Sequence, residues 1–596
     1  MGVRGVSPMP ARMVHQCITR YARQVNHNHT PKCHPTPTSS ILFDRGAIFP
    51  DLDGVHSLMP EQAPRKLAAA SLPTIALVAI VTALSLPVLI ELIASLADLF
   101  NSQSTVSFAD LFLQSDRIAL LARSLAIAAI IGLVSVCMGI PLGRVINAKL
   151  TGELQPRYRL FAAILISPIW LPATMVYAAG NLMRAPDTIL GHALISYSTS
   201  SPDLRWITIW AGYTIAVVGL AIWSAPIAAI LIASGMGHRS SLYDEMIALE
   251  PVGIIRRTTM WVRLNCSVLL RAWALVAIIM LGSAVPMHLA QLETWSIIIW
   301  RQLAQSPTEQ WGSVWLSAWP TILIAGFGAW LLTRTVISRE EHPRFVDRGH
   351  TSPALPKLII AAAITVWILG ALVPMGAMLV TLNDFDAILH FWTLQSSAMQ
   401  DSGIIALITA AITMLIALLI AITLGNPSLR IRRTGAFAVF TLCILGFIPG
   451  VLVGAAIARS PSLTGWIGVI FASCIRAGFI GALIGSLCAS SESIERKSIR
   501  WQMAGNSIRG WCSAVLPGIS LPILGSGLVA GLYSMYEIEA SIMVRPPGMD
   551  NLPQQLLSDL HYARLEQLSA AGINLLLLGL ACSIVGTLLI SKVRTE

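Results

Sequence analysis

The stretch SGIIALITAAITMLIALLIAITLG, residues 402–425, contains no charged side chain. About 20 consecutive apolar residues are enough for a helix to cross the hydrocarbon core of a bilayer. A strand of a membrane β-barrel would be only about ten residues long and would alternate in polarity, so this stretch predicts a transmembrane helix. The whole chain has the same character, because 55% of its 596 residues are hydrophobic and only 12% are charged. Soluble globular proteins carry about 25% charged residues.

Eleven other apolar stretches resemble this one in length and composition. The sequence therefore predicts an all-α integral membrane protein with about twelve transmembrane helices, in two tandem halves of six. We expect the first domain to occupy residues 67–340 and the second to occupy residues 341–596. The predicted helices lie at roughly 72–98, 118–143, 160–181, 206–234, 267–290, 314–333, 357–382, 402–425, 434–458, 464–488, 518–541 and 569–591.

Positively charged residues predict the orientation of the chain in the membrane. The formal net charge is +10, and the cytoplasmic loops of membrane proteins carry an excess of Lys and Arg. With the N-terminus inside, the inner loops and tail carry 22 Lys and Arg residues, and the outer loops carry seven. This asymmetry predicts that both termini are cytoplasmic. It also accounts for the positive charge without a nucleic-acid partner.

Residues 1–66 differ from the rest of the chain. They are polar, rich in Pro and His, and lack apolar periodicity, so we expect a disordered segment rather than a signal peptide. A metal site is the alternative, but the spacing of its candidate ligands fits no zinc template, and we predict neither a metal nor a cofactor. Met59 leaves open a later start of translation. The candidate ligands are His15, Cys17, His27, His29, Cys33 and His34.

The two halves show signs of an internal repeat. Leu-Pro at 171–172 in the third predicted helix aligns with Ile-Pro at 448–449 in the ninth, an offset of 277. After the fourth and tenth helices, Gly253 aligns with Gly505 at an offset of 252. The offset changes because the loop after the third helix is long in the first half and short in the second. Both halves keep the same orientation, which predicts a parallel duplication.

The long inner loops after the fourth and tenth helices read DEMIALEPVGIIRRTTMWVRLN (244–265) and SIRWQMAGNSIRGWCSAVLP (498–517). Each contains an acidic or polar helical stretch, a small residue, and a Leu shortly before the next membrane helix. This pattern resembles the EAA loop of binding-protein-dependent ABC import permeases, where Glu-Ala-Ala is followed by Gly and later by Leu-Pro. The resemblance implies a MetI-like permease fold whose loops each contact a separate ATPase subunit. An ordinary basic inner loop is the alternative.

Five residues match the family pattern and are the predicted ATPase-coupling residues. Glycine lets the chain turn with a positive φ, and proline at the start of a helix loses no intrahelical hydrogen bond. The first half departs from the pattern because it lacks the two alanines and has Asn265 in place of the proline. The second half lacks the glutamate. The matching residues are Glu245, Gly253, Ala504, Gly505 and Pro517.

A second segment, LYSMYEIEASIMVRPPGMDNLPQQL (532–556), follows the eleventh helix. It is similar to the C-terminal segment of iron(III)-type ABC permeases, in which a small-residue stretch, a glutamate, Pro-Pro-Gly and Leu-Pro precede the last helix. The glutamate of that pattern is Glu537 here. The first half has the weaker GSAVP (282–286), with Val285 where the second half has Glu537.

Charged residues within the apolar stretches form a second group of candidates. Arg476 is predicted in the middle of the tenth helix, and Glu537 and Glu539 near the outer end of the eleventh. A charge at the bilayer centre costs roughly 2.5–3.5 kcal/mol on insertion scales and faces the protein interior. Glu537 and Arg476 are therefore candidates for the translocation path. A structural Glu537–Arg476 pair, or a side chain that reaches the outer interface, is the alternative.

The resemblance implies a fused permease of the bacterial inner membrane that replaces the usual pair of membrane subunits. Its expected partners are a cytoplasmic ABC ATPase dimer, a periplasmic or lipid-anchored solute-binding protein, and membrane lipid. The best candidate solute is ferric iron. The sequence contains no GxxxxGK[ST] loop, so ATP hydrolysis is expected on a separate chain and this chain is not itself an enzyme. A secondary transporter or channel without an ATPase is the alternative.

Overall fold

Long helices make up the described part of the chain. Every regular element there is helical, because a backbone in lipid has to satisfy its own N–H and C=O groups. The N-terminal segment 1–66 lies outside the described residues, so its predicted disorder stays a prediction. The computed structural model describes residues 67–100, 115–151, 156–182, 189–200, 205–236, 253–290, 292–337, 357–382, 384–426, 428–460, 462–463, 465–492, 508–562 and 564–593.

Helices are numbered in chain order. In the first half they are α1 (Leu67–Phe100), α2 (Ser115–Thr151), α3 (Pro156–Ile166), α4 (Ala173–Leu182), α5 (Ile189–Ser200), α6 (Arg205–Met236), α7 (Ile254–Gly282), α8 (Val285–Leu289), α9 (Trp295–Gln305) and α10 (Trp311–Ile337). In the second half they are α11 (Lys357–Trp367), α12 (Val373–Val380), α13 (Asp386–Leu394), α14 (Ser396–Leu424), α15 (Leu429–Phe447), α16 (Gly450–Ala458), α17 (Trp466–Ser491), α18 (Ile508–Ala514), α19 (Leu516–Ser534), α20 (Ser541–Val544), α21 (Leu552–His561) and α22 (Leu565–Val593). A 3-10 turn (Ser167–Trp170) extends α3, another (Thr308–Gln310) precedes α10, and a π-helical turn (Ile368–Leu372) joins α11 to α12.

The membrane-spanning character predicted from the sequence is confirmed. Among the described residues, ten helices are long and apolar enough to cross a membrane, and the number is twelve if two bent helix pairs each count as one span. These ten helices and two pairs overlap the twelve predicted stretches. The chain is therefore a multi-pass membrane protein, and the part of it that the structure describes is all-helical.

The two bent pairs break at the two aligned dipeptides. The α3 segment and α4 meet at an angle of 79° around Leu171-Pro172, and α15 and α16 meet at 97° around Ile448-Pro449. Proline lacks a backbone N–H and its ring clashes with the preceding turn. It also moves the residue before it into the extended region, and Leu171 and Ile448 have ψ values of 130° and 153°.

Two predicted helices have wrong ends. The fifth helix was predicted over 267–290, but α7 starts at Ile254 and ends at Gly282. It starts earlier because the arginine-rich residues 254–266 are helical although they are not uniformly apolar. The eleventh was predicted to continue to 541, but α19 ends at Ser534. Glu537 and Glu539 therefore lie in the turn after the helix.

Helices at corresponding predicted positions in the two halves make similar contacts. In the first half α2 packs against α6 and α7, and in the second α14 packs against α17 and α19. The first helices cross between halves: α1 packs against α14, α15 and α16, whereas α11 and α12 pack against α2, α3 and α4. The last helices also cross, because α10 packs against α15 and α22 against α3. The predicted boundary at 340/341 lies outside the described residues and stays a prediction.

Glycines allow the most extensively packed helices of each half, α2 with α6 and α14 with α17, to approach closely. A Cβ atom on Gly139 or Gly143 of α2 would lie 2.9 Å from atoms of α6. A Cβ on Gly481 or Gly485 of α17 would lie 2.7 or 2.5 Å from backbone oxygens of α14. This is the small-residue spacing that brings membrane helices together when lipid supplies no hydrophobic driving force.

Candidate functional site

The break between α15 and α16 exposes backbone carbonyls inside the protein, and Arg476 of α17 satisfies them. Its Nη1 atom donates to the carbonyl oxygens of Gly446 at 2.8 Å and Ile448 at 2.7 Å. The last carbonyls of a helix have no intrahelical partner and carry partial negative charge. A guanidinium therefore stabilises this broken end, although Arg476 is only 8% exposed.

The break in the first half is stabilised in the same place by a neutral donor. Trp223 of α6 donates its Nε1–H to the carbonyl oxygen of Leu171 at 2.7 Å. Leu171, like Ile448, immediately precedes the proline of the break. Both breaks thus receive a side-chain N–H from the long helix that follows, but only the donor of the second break is charged.

Glu537 lies beside Arg476 in the turn after α19. Its Oε1 accepts the backbone N–H of Ala540 at 2.9 Å, and its Oε2 accepts that of Ser541 at 3.0 Å. Oε1 also lies 3.8 Å from Nε of Arg476. The geometry is that of the structural ion pair offered as an alternative by the sequence. The role of either residue in a translocation path stays a prediction.

Glu539 makes contacts that the sequence did not predict. One carboxylate oxygen, Oε1, accepts the backbone N–H groups of Ala284 at 2.5 Å and Val285 at 3.2 Å, and the hydroxyl of Ser283 at 3.3 Å. The other, Oε2, accepts the backbone N–H of Gly450 at 3.3 Å. Oε2 also lies 3.9 Å from Nη2 of Arg476. A single carboxylate thus bonds to the start of α8 in the first half and of α16 in the second.

Close backbone packing surrounds these charges. A Cβ on Gly450 would lie 2.7 Å from the Cβ of Glu539, and one on Gly282 would lie 2.7 Å from the carbonyl oxygen of Phe447. Only glycine permits these approaches. The ring of Phe479 meets the ring of Tyr533 edge to face at 6.1 Å, and the hydroxyl of Tyr533 interacts with the guanidinium of Arg476.

The buried cluster of Arg476, Glu537 and Glu539 combines one cation with two carboxylates. Glu537 and Glu539 are 5% and 6% exposed. Removing charges from water costs several kcal/mol for each ion unless partners and hydrogen bonds compensate. Much of that compensation comes here from backbone C=O and N–H groups at the α15–α16 break, at the start of α8 and in the turn after α19. The cluster can therefore hold the broken helix ends and the two halves in one arrangement.

A second buried carboxylate also connects the halves. Glu91 of α1 pairs with Arg459 at the end of α16, with 2.7 Å between Oε2 and Nη1. Glu91 was not among the predicted site residues, although an acidic residue inside an apolar run of 26 residues was a usable signal. For Glu539, no sequence signal could have identified its backbone partners in the first half.

The predicted ATPase-coupling residues are only partly covered. Glu245, Ala504 and Gly505 lie outside the described residues. Pro517 occupies the first turn of α19, as expected for a helix start. Gly253 precedes α7 with φ −63° and ψ 161°, so the predicted positive-φ turn is wrong at this position. Any residue can adopt this extended conformation.

The predicted absence of a metal or cofactor stays a prediction. Among the described residues, no group of three or more His, Cys, Asp or Glu side chains could hold a metal ion. No family model, curated protein or solved structure matches the chain.

Proposed function

We propose that this chain is the transmembrane permease subunit of a bacterial ABC importer. Both halves of the transport pathway are fused in it, as two MetI-like domains related by a parallel duplication. A separate cytoplasmic ATPase dimer closes on ATP and moves the two inner loops. The two halves then rock against each other, so that the path between them opens alternately to the two sides of the membrane.

One observation carries the proposal. The third helical span of each half breaks at the aligned dipeptide, and the carbonyl before the proline receives a side-chain N–H from the next long helix, from Trp223 or from Arg476. Helices broken near the middle of a bilayer line substrate pathways in transporters built from repeats. The exchange of first and last helices between halves supports the same conclusion, because motion of one half must then displace the other.

The proposed ATPase contact is made by two loops that lie outside the described residues. The helix after the first loop, α7, begins at Ile254 and approaches the charge cluster only at its other end, Gly282. The loops over 237–252 and 493–507 connect α6 to α7 and α17 to α18. The first turns of α7 present Arg256, Arg257 and Arg263 to solvent. The excess of Arg at the start of α7 supports a cytoplasmic location for this end of the helix. Both termini would then lie on the cytoplasmic side of the inner membrane. A periplasmic or lipid-anchored solute-binding protein would dock on the opposite face.

Ferric iron is the proposed solute. The support for it is the resemblance of residues 532–556 to iron(III)-type permeases. Since no metal-binding group of three or more side chains occurs among the described residues, selection of the solute would rest with the binding protein. A strain that lacks the chain should take up labelled ferric iron more slowly than its parent. Unchanged uptake would refute iron as the solute and leave the importer proposal standing.

The importer proposal is tested by reconstitution. The chain is purified in lipid nanodiscs, mixed with a candidate ATPase subunit, and assayed for ATP hydrolysis with and without the solute-binding protein. We expect a stable complex whose ATPase activity rises when the loaded binding protein is added. Uptake into proteoliposomes that contain the chain alone, driven by an ion gradient, would instead favour a secondary transporter.

A further inference from the structure

Glu539 lies where the break between α15 and α16 in the second half meets the turn between α7 and α8 in the first half. Its carboxylate accepts backbone N–H groups from Ala284 and Val285 on one side and from Gly450 on the other. The sequence separation of 255 residues between Ala284 and Glu539 shows that the bond joins distant parts of the chain. Both acceptor oxygens of one side chain are therefore used to connect two helix starts from different halves.

These bonds belong to the stronger class of hydrogen bonds. The acceptor is a buried carboxylate, and the donors lie at helix starts, where N–H groups have no intrahelical partner. Without the carboxylate, the N–H groups of Ala284 and Gly450 would lose this acceptor inside the protein. Breaking only some of these hydrogen bonds would leave buried polar groups without partners, which costs free energy. The contact therefore favours two discrete states, one with all the bonds formed and one with the two halves separated.

An apolar contact lies beside these hydrogen bonds, and together they form the junction between the start of α8 and the second half. Val285 packs in one buried cluster with Ile538 and Leu557 of the second half. Its side chain is 1% exposed. Val285 thus carries both a backbone donor to Glu539 and a side chain that reagents reach only when the halves separate here.

Glu537 provides a natural comparison. It carries the same charge, is buried to the same degree, and lies near the same Arg476. Its carboxylate, however, accepts N–H groups from Ala540 and Ser541 of its own turn. Loss of charge at Glu537 therefore alters the cluster, whereas loss at Glu539 also weakens the connection to the first half, because glutamine keeps only one acceptor oxygen.

We propose that Glu539 is a positioning residue that bridges the two halves and holds the pathway closed toward the outer side of the membrane. Opening of the pathway on that side requires separation of the carboxylate from Ala284 and Val285. The bridge deepens the proposed function, because the transition that it opposes is the outer opening of an alternating-access permease.

The test measures how often the junction opens. Val285→Cys is introduced as a reporter, and the purified chain in lipid nanodiscs is treated with a water-soluble maleimide. Modification at position 285 is followed by peptide mass spectrometry, so the native cysteines stay in place. Because a buried thiol reacts only in the open state, the labelling rate reports the open fraction. Thermal unfolding of the reporter variant first establishes that the substitution leaves the fold intact.

Glu539→Gln should raise the labelling rate at position 285 by at least about tenfold, since one hydrogen bond to a charged group changes an equilibrium by roughly one to two orders of magnitude. Glu537→Gln should leave labelling within about threefold of the reporter background, because its hydrogen bonds stay inside the second half. If Glu539→Gln does not fold, Glu539→Asp replaces it. The shorter side chain keeps the charge but cannot reach both halves, so labelling should again rise.

Equal labelling in both glutamine variants, or no rise with either Glu539 variant, would overturn the bridge. Addition of the ATPase subunit and a non-hydrolysable ATP analogue separates this outcome from failure of the importer proposal. If Glu539→Gln raises labelling but the nucleotide has no effect on the parent reporter, the bridge stands and ATPase coupling fails. If the nucleotide raises labelling in the parent but Glu539→Gln does not, ATPase coupling stands and the bridge fails.

Discussion

Trp223 and Arg476 occupy the same position relative to the two helix breaks, and each donates a hydrogen bond of 2.7 Å to the carbonyl oxygen that precedes the proline. Their separation of 253 residues differs by one from the offset of 252 between the two inner loops. The predicted duplication would account for this relationship. The charge of Arg476 also accounts for the two carboxylates that the second half places beside its break, since an isolated buried cation would be costly.

Arg476→Leu should destabilise the protein far more than Trp223→Phe. The arginine variant leaves Glu537 and Glu539 buried without their cation and frees two carbonyl oxygens. Breaking a buried ion pair from one side costs about 3–5 kcal/mol. The tryptophan variant loses one neutral hydrogen bond, worth about 1–3 kcal/mol if the carbonyl stays unsatisfied. Thermal unfolding in detergent compares the two midpoints.

Charge removal provides the control for this comparison. The triple variant Arg476→Leu, Glu537→Gln and Glu539→Gln removes all three charges, so it should recover part of the stability that Arg476→Leu loses. A triple variant no more stable than Arg476→Leu would show that the two carbonyl bonds, rather than the unpaired carboxylates, account for the loss.

Gly485→Ala should destabilise the contact between α14 and α17. The added Cβ would lie 2.5 Å from the carbonyl oxygen of Ala417, and overpacking typically costs about 1–3 kcal/mol. Gly525→Ala is the matched control, because a Cβ there meets nothing within 4 Å. Alanine should stabilise that helix by up to about 1 kcal/mol. Unfolding midpoints that fall equally in both variants would contradict the close approach.

The helical spans were predictable because bilayer thickness sets their length and their side chains have to be apolar. The helix ends were not, because individual hydrogen bonds that no apolar pattern marks determine them. In the turn after α19, for example, the carboxylate of Glu537 accepts hydrogen bonds from the backbone N–H groups of Ala540 and Ser541. The short helices α8, α9, α20 and α21 lie between membrane helices and mix polar with apolar residues, so no uniform run marks them.

The candidate site was predictable in its residues but not in its connections. Arg476 and Glu537 were identifiable as charges within or beside apolar stretches. The bridging role of Glu539 depends on backbone N–H groups more than 250 residues away, and backbone groups leave no trace in a sequence. Trp223 was not selected because a tryptophan in a membrane helix is ordinary.

Acidification should lower the stability of the parent protein more steeply than that of a variant without His288. The His288 and His561 rings, from opposite halves, stack with centroids 6.3 Å apart. Burial, followed by the charges of His561 and Arg301, lowers the pKa of His288 below its ordinary value of 6.5. The unfolded chain then binds a proton more readily than the folded protein, so stability present above pH 6.5 decreases as the pH falls below it.

Thermal unfolding between pH 5 and 8 tests this dependence. His288→Gln removes the titrating group, so its midpoint should change less with pH than that of the parent. His561→Gln should also reduce the dependence, because it removes one of the two charges that oppose protonation of His288. An identical pH profile in the parent and His288→Gln would contradict the assignment.

Gly253→Val should leave transport-stimulated ATPase activity close to the parental level, whereas Gly505→Val should reduce it. Gly253 lies outside the helix in an extended conformation, with φ −63° and ψ 161°, and a Cβ there meets no atom within 4 Å. Valine adopts such a conformation readily. Gly505 keeps the Ala-Gly pattern of the family loop, for which we predict a positive φ that valine strongly disfavours.

Pro517→Ala should have a smaller effect than Gly505→Val, because Pro517 lies in the first turn of α19 and only its restricted φ is lost. The readout is ATP hydrolysis by the reconstituted complex with the loaded binding protein. Loss of stimulation in Gly253→Val with normal activity in Gly505→Val would make the first-half loop the principal ATPase contact, despite its poorer match to the family pattern.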